Sequence, residues 1–212
     1  MRLGLRCILK SHAFLFILLS FSCNKEIDQP VQPDREITGE WIFMSNTVST
    51  ETITTYTVDS IVYKNKLTAD YITYNNNGNV IITEGNITGT DLRFDVITTA
   101  YFSFYLGEDN EEDSVETPFT NYMDSAYQCQ KLFQRIGEDS VYFPNGIIMQ
   151  LPDINGDETT SMNLPQGGSI RRFDNSLLIA TTSLRDSSYE EDGTIYYITK
   201  KEKVDMAFER QR

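Results

Sequence analysis

The chain has 212 residues and carries 31 acidic against 18 basic side chains, a net charge of −13 at pH 7 that repels phosphate backbones and argues against nucleic acid as a partner. Its apolar content of 40% and charged content of 23% belong to a folded globular chain, which excludes a disordered one. A single histidine, His12, and three cysteines, Cys7, Cys23 and Cys129, leave little material for metal or nucleophilic sites.

The first 22 residues read as an export signal. Arg2, Arg6 and Lys10 form a basic head, an apolar run from Ala13 to Leu19 follows, and the run ends at Ser20-Phe21-Ser22-Cys23. The run is too short for a stable membrane span, which needs roughly 20 apolar residues. Cleavage before Cys23 would remove His12, Cys7 and three basic residues, leaving 15 basic against 31 acidic side chains, a net charge of −16. Without His12 there is no Cys/His or Ser/His/Asp catalysis and no His-containing zinc site. Cys129 then has no disulfide partner within the domain and reads as a small core residue. Residues 23–36 are polar, carry Pro30 and Pro33 and show no periodicity, so they read as a flexible tether.

From Ile37 onward the pattern predicts strands. Trp41 to Met44 is a short apolar run, and Ile53 to Tyr63 is dense in Thr, Tyr, Val and Ile, which suit a pleated surface. Ala69–Tyr74 and Val80–Glu84 around Asn77-Gly78 predict a hairpin. Leu92, Phe94 and Val96 alternate with Arg93 and Asp95, and Phe102, Phe104 and Leu106 alternate with Ser103 and Tyr105. Ser140–Phe143, Ile147–Leu151, Leu177–Leu184 and Thr194–Thr199 predict further strands. At the C-terminus Val204, Met206 and Phe208 face away from Lys203, Asp205 and Glu209. Tyr122, Ala126, Cys129 and Phe133 allow at most one short helix within 121–135. Glu108–Glu116, Asp153–Gly168 and Ser187–Gly193 read as loops. Eight to ten short strands with nothing to cover an open sheet predict an all-β barrel or sandwich.

Two resemblances sharpen this reading. The segment ending at Cys23 resembles the lipobox of bacterial lipoproteins of the Bacteroidota type, in which the cysteine becomes the lipidated N-terminus. It departs from the usual box at Ser20, where an aliphatic residue is common, and at Phe21, which replaces a small one. That resemblance implies an outer-membrane, lipid-anchored protein and leaves the periplasmic face and the cell surface open. The ordered region opens Ile37-Thr38-Gly39-Glu40-Trp41, and its Gly-x-Trp resembles the lipocalin signature and the lipocalin-like domains of small bacterial lipoproteins. The resemblance covers residues 37–212 and implies an antiparallel up-and-down β-barrel in which Trp41 closes one end and Arg210, from the last strand, packs over its ring. No Thr-Asp-Tyr-type motif stands at the later position where those families carry one. The competing account of Trp41 is an ordinary core tryptophan.

Three candidate sites remain. Asp153, Asn155 and Asp157 set oxygens at alternate positions, as the start of a calcium loop does. Glu158 stands where such a loop needs glycine and Leu164 where it needs a bidentate acid, so a polar turn on Asn155-Gly156 is the simpler account. The acidic runs 108–113 and 190–192 lack the fixed spacing that acid/base pairs require and read as solvated segments. Tyr101, Phe102, Phe104, Tyr105, Phe119 and Tyr122 could line a pocket, although alternation sends about half of them inward whatever the function. The expectation is a non-enzymatic, membrane-tethered protein without a cofactor, binding a small apolar or amphipathic ligand or, alternatively, an envelope protein partner through a filled barrel.

Overall fold

The computed structural model describes residues 37–107, 110–152, 154 and 164–211. Among these there is no helix. Eleven antiparallel segments form one sheet: β1 Gly39–Val58, β2 Ile61–Ile72, β3 Tyr74–Ile82, β4 Asn86–Leu106, β5 Asn110–Tyr122, β6 Tyr127–Leu132, β7 Gln134–Arg135, β8 Ser140–Phe143, β9 Gln166–Phe173, β10 Ser176–Glu191 and β11 Thr194–Arg210. The order is β2-β4-β3-β1-β11-β10-β9-β8-β7, with β5 and β6 along the other side of β4 and a further pairing of β2 with β1.

That order simplifies once the interrupted strands are recognised. β1 pairs with β3 through Gly39–Ile42 and with β2 through Thr47–Val58. β4 does the same, meeting β3 at its start and β2 at its end. β2 and β3 are therefore successive halves of one strand, broken at Thr73, and β1, β2, β4 and β3 form a closed circuit of four paired strands. β5 and β6 repeat the arrangement on the far side of β4. β7 follows β6 after Phe133 alone and pairs with β8.

The hairpin predicted around Asn77-Gly78 is absent, because the chain does not reverse there. Gly78 instead has φ +132 and lies so close to β4 that a side chain would meet the Leu92 Cα at 2.9 Å. The glycine serves a close approach at a break in the strand, not a turn. Two-residue turns reverse the chain at Asp59-Ser60 and at Asp192-Gly193, all four residues at positive φ, as tight hairpin connections require.

The short helix allowed within 121–135 is also absent. Tyr127, Cys129 and Lys131 are half-buried and alternate with exposed Gln128, Gln130 and Leu132, so period two governs the segment and β4 takes its hydrogen bonds. Ile147–Leu151 is not a strand but an irregular segment burying Ile147, Ile148, Met149 and Leu151 in the core. Asn110–Glu116 and Ser187–Glu191, read as loops, are strand ends. Their side chains are charged on both faces because both faces meet solvent there.

One hydrophobic core lies against the inner face at the end of the sheet where Trp41, Phe43, Phe94, Phe143 and Phe208 are fully buried. Each such side chain contributes about 1.5–3 kcal/mol through burial. Phe43 meets Phe94 edge-on at 6.1 Å. The inner face carries Leu67, Ala69 and Tyr71 on β2 and Val204, Met206 and Phe208 on β11, while on β1 a register shift between Phe43 and Ser45 moves it from Trp41 and Phe43 to Asn46 and Val48. Past this core β1, β2, β4, β5, β10 and β11 run on as a six-strand extension whose residues are half-buried or exposed.

Candidate functional site

The inner face does not end with the core. Cross-strand partners share a face, so the register carries it outward row by row. Thr181, Val204, Val48 and Tyr71 form one row across β10, β11, β1 and β2. Ser183, Glu202, Thr50 and Ala69 form the next, and Arg185, Lys200, Thr52 and Leu67 the one after, continued by Phe102 on β4. Ser187, Ile198, Thr54, Asn65 and Phe104 follow.

The last row is aromatic. Tyr189, Tyr196, Tyr56 and Tyr63 stand directly opposite one another on β10, β11, β1 and β2, with Leu106 beyond them on β4. Their ring centroids are 4.8, 4.9 and 5.2 Å apart along the row, and the two outer pairs are stacked. Each pair flanks a two-residue turn symmetrically, which is why the hairpins bring them face to face. Burial among its neighbours, with Glu191 nearby, raises the Tyr196 hydroxyl above its ordinary ionisation range. The inner face thus runs from an apolar floor, through a belt of hydroxyl, amide and charged side chains, to a tyrosine rim.

Within the belt, Asn46, Thr181 and Glu202 are buried, at 0%, 2% and 7% exposure. Asn46 stands beside Met206 on the row nearest the core. Its backbone is clamped by Thr73, whose Oγ1 accepts from the Asn46 N–H at 2.8 Å while the Thr73 N–H donates to the Asn46 carbonyl at 2.9 Å.

The residues singled out from the sequence distribute as follows. Gly39, Trp41 and Arg210 meet at the core end: Trp41 is fully buried, its Nε1–H donates to the Ile37 carbonyl at 2.9 Å, and the Arg210 guanidinium lies 5.8 Å from the ring centre. Gly39 has φ +135, and a Cβ there would lie 3.5 Å from the guanidinium. Phe102, Phe104 and Phe119 share the inner parity, whereas Tyr101, Tyr105 and Tyr122 point to the other face. Cys129 is half-buried, its thiol donating to the Ile148 carbonyl at 3.0 Å, and burial raises its ionisation above the usual range. Cys23 and the calcium candidates Asp153, Asn155 and Asp157 lie outside the described residues. Among the described residues no group of three or more His, Cys, Asp or Glu side chains could hold a metal ion.

Sequence reasoning missed the tyrosine row and the buried Asn46, Thr181 and Glu202. The symmetric placement of Tyr56 and Tyr63 about Asp59-Ser60, and of Tyr189 and Tyr196 about Asp192-Gly193, was a usable signal for the row. No protein-family model matches the chain, and comparison with curated proteins and with solved structures finds no match.

Proposed function

We propose that this is a lipid-anchored envelope protein whose sheet curls into a lipocalin-like barrel and binds a small amphipathic ligand along its inner face. The observation that carries the reading is the continuity of that face from the core around Trp41 and Phe208 to the rim of Tyr189, Tyr196, Tyr56 and Tyr63. A face that mixes apolar side chains with hydroxyl, amide and charged ones suits a ligand with both characters. The barrel is supported by the meander of strands and by the passage from β6, paired with β4, to β7, paired with β8, across Phe133 alone. A chain segment shared by the two ends of a meander is what an up-and-down barrel needs to close. The anchor rests on the lipobox-like segment ending at Cys23.

One variant tests both parts. The full chain carrying Cys23→Ser leaves the membrane fraction, and once purified it binds the fluorescent apolar probe N-phenyl-1-naphthylamine with one-to-one stoichiometry. Retention in the membrane overturns the lipid anchor, and a folded chain that does not bind the probe overturns the ligand site.

A second reading, a partner-binding lipoprotein, draws on the opposite face of the extension, where Tyr101, Leu184, Ile195 and Tyr197 are exposed. A folded chain that ignores the probe favours it.

A further inference from the structure

Two polar side chains on the inner face are buried without an evident structural purpose. Neither the amide nitrogen nor the oxygen of Asn46 meets a hydrogen-bonding group among the described residues, and the same holds for the Thr181 hydroxyl. Buried polar groups are nearly always satisfied, because leaving one unmet forfeits its hydration with no return. Thr73 holds the Asn46 backbone through both its N–H and its carbonyl, which keeps the side chain on this face. Asn46 and Thr181 stand on neighbouring rows of the polar belt, on β1 and β10, with β11 between them.

We infer that Asn46 and Thr181 form the polar end of the ligand site and receive a neutral head group that both donates and accepts hydrogen bonds, an alcohol or a primary amide. The inference rests on the ligand site proposed above and names the chemistry of its inner end. Asn46 supplies two donors and an acceptor, and Thr181 one donor and acceptor oxygen, so a group with both capacities satisfies them together. A carboxylate head would meet the buried Glu202 on the next row. An ammonium head would offer no acceptor to the Asn46 amide.

The test is competition with the fluorescent probe on the purified full chain carrying Cys23→Ser. 1-Decanol displaces N-phenyl-1-naphthylamine, and decanoate does so at least about fivefold less well, as the loss of one well-made hydrogen bond predicts. Thr181→Val, which keeps the shape and removes the hydroxyl, weakens decanol about fivefold. Asn46→Leu weakens decanol at least as much, and circular dichroism confirms that both variants fold. Unchanged decanol affinity in folded Thr181→Val, or equal affinity for decanol and decanoate, overturns the inference while leaving the ligand site standing. Absence of probe binding by the parent chain overturns both.

Discussion

Arg210 stands directly across from Trp41 in the β1–β11 ladder, with its guanidinium 5.8 Å from the centre of the indole ring. Gly39 completes the arrangement, because only glycine takes its backbone angle readily. The first and last strands are thereby joined by a side-chain contact as well as by their ladder. Replacing Arg210 with Met, which keeps most of the packing and removes the charge, lowers unfolding stability by about 0.5–1 kcal/mol in denaturant titration. Trp41→Ala costs about 3–5 kcal/mol, since it also empties the core at that end.

Asp95 is the pin between two broken strands. Its Oδ2 accepts from the Asn75 side-chain amide at 2.8 Å and its Oδ1 from the Met123 backbone N–H at 3.1 Å. Asn75 lies just after the break between β2 and β3, and Met123 just after the end of β5. Asp95→Ala leaves both donors without that acceptor and is expected to cost about 1–3 kcal/mol. A thermal shift of the variant indistinguishable from that of the parent would refute the role.

The tyrosine row substitutes for a core in the extension. Tyr196 touches two of its neighbours, and each aromatic pair contributes about 0.5–1.5 kcal/mol. Tyr196→Ala therefore accelerates hydrogen exchange in the outer halves of β1, β10 and β11 much more than around Phe208, because the extension opens independently of the core.

Ser60 has φ +68 in a turn that favours Asp-Gly. Ser60→Gly relieves the strain of a side chain in the left-handed region and raises stability by about 1 kcal/mol, measured as a shift in the denaturant midpoint. A destabilised variant would mean that the serine side chain makes a compensating contact.

Burial raises the ionisation of the Cys129 thiol and of the Tyr127 hydroxyl, which donates to the Ile148 carbonyl at 3.4 Å. In the unfolded chain these groups lose their protons near 9.0 and 10.0, whereas the folded protein holds them to higher pH. The unfolded state thus binds fewer protons above pH 9, and stability falls as pH rises from there. Denaturation midpoints measured at pH 8, 9 and 10 should decline in that order. Native Cys129 should also alkylate far more slowly than the thiol of the unfolded chain.

Strand segments were legible where one face is buried. The alternation of Val204, Met206 and Phe208 with charged neighbours survives in the structure, and Ser140–Phe143 is a strand over the range predicted. Legibility failed where burial does not discriminate between faces. Asn110–Glu116 and Ser187–Glu191 look like loops because neither face of the extension is covered, and their order comes from ladder hydrogen bonds that composition does not report. Asn77-Gly78 reads as a turn in the sequence because Asn and Gly serve an irregularity within a strand as readily as a reversal.

Residue types and their immediate spacing carry an all-β domain with period-two faces, an acidic composition and no histidine beyond His12. Tertiary structure alone decided which strands join end to end and which side chains share a row. Asn46, Thr181, Glu202 and the four rim tyrosines come from two hairpins, β1–β2 and β10–β11, far apart in the chain. Only register brings them onto one face, and a shift of a single residue in any ladder would turn that strand's contribution to the opposite side.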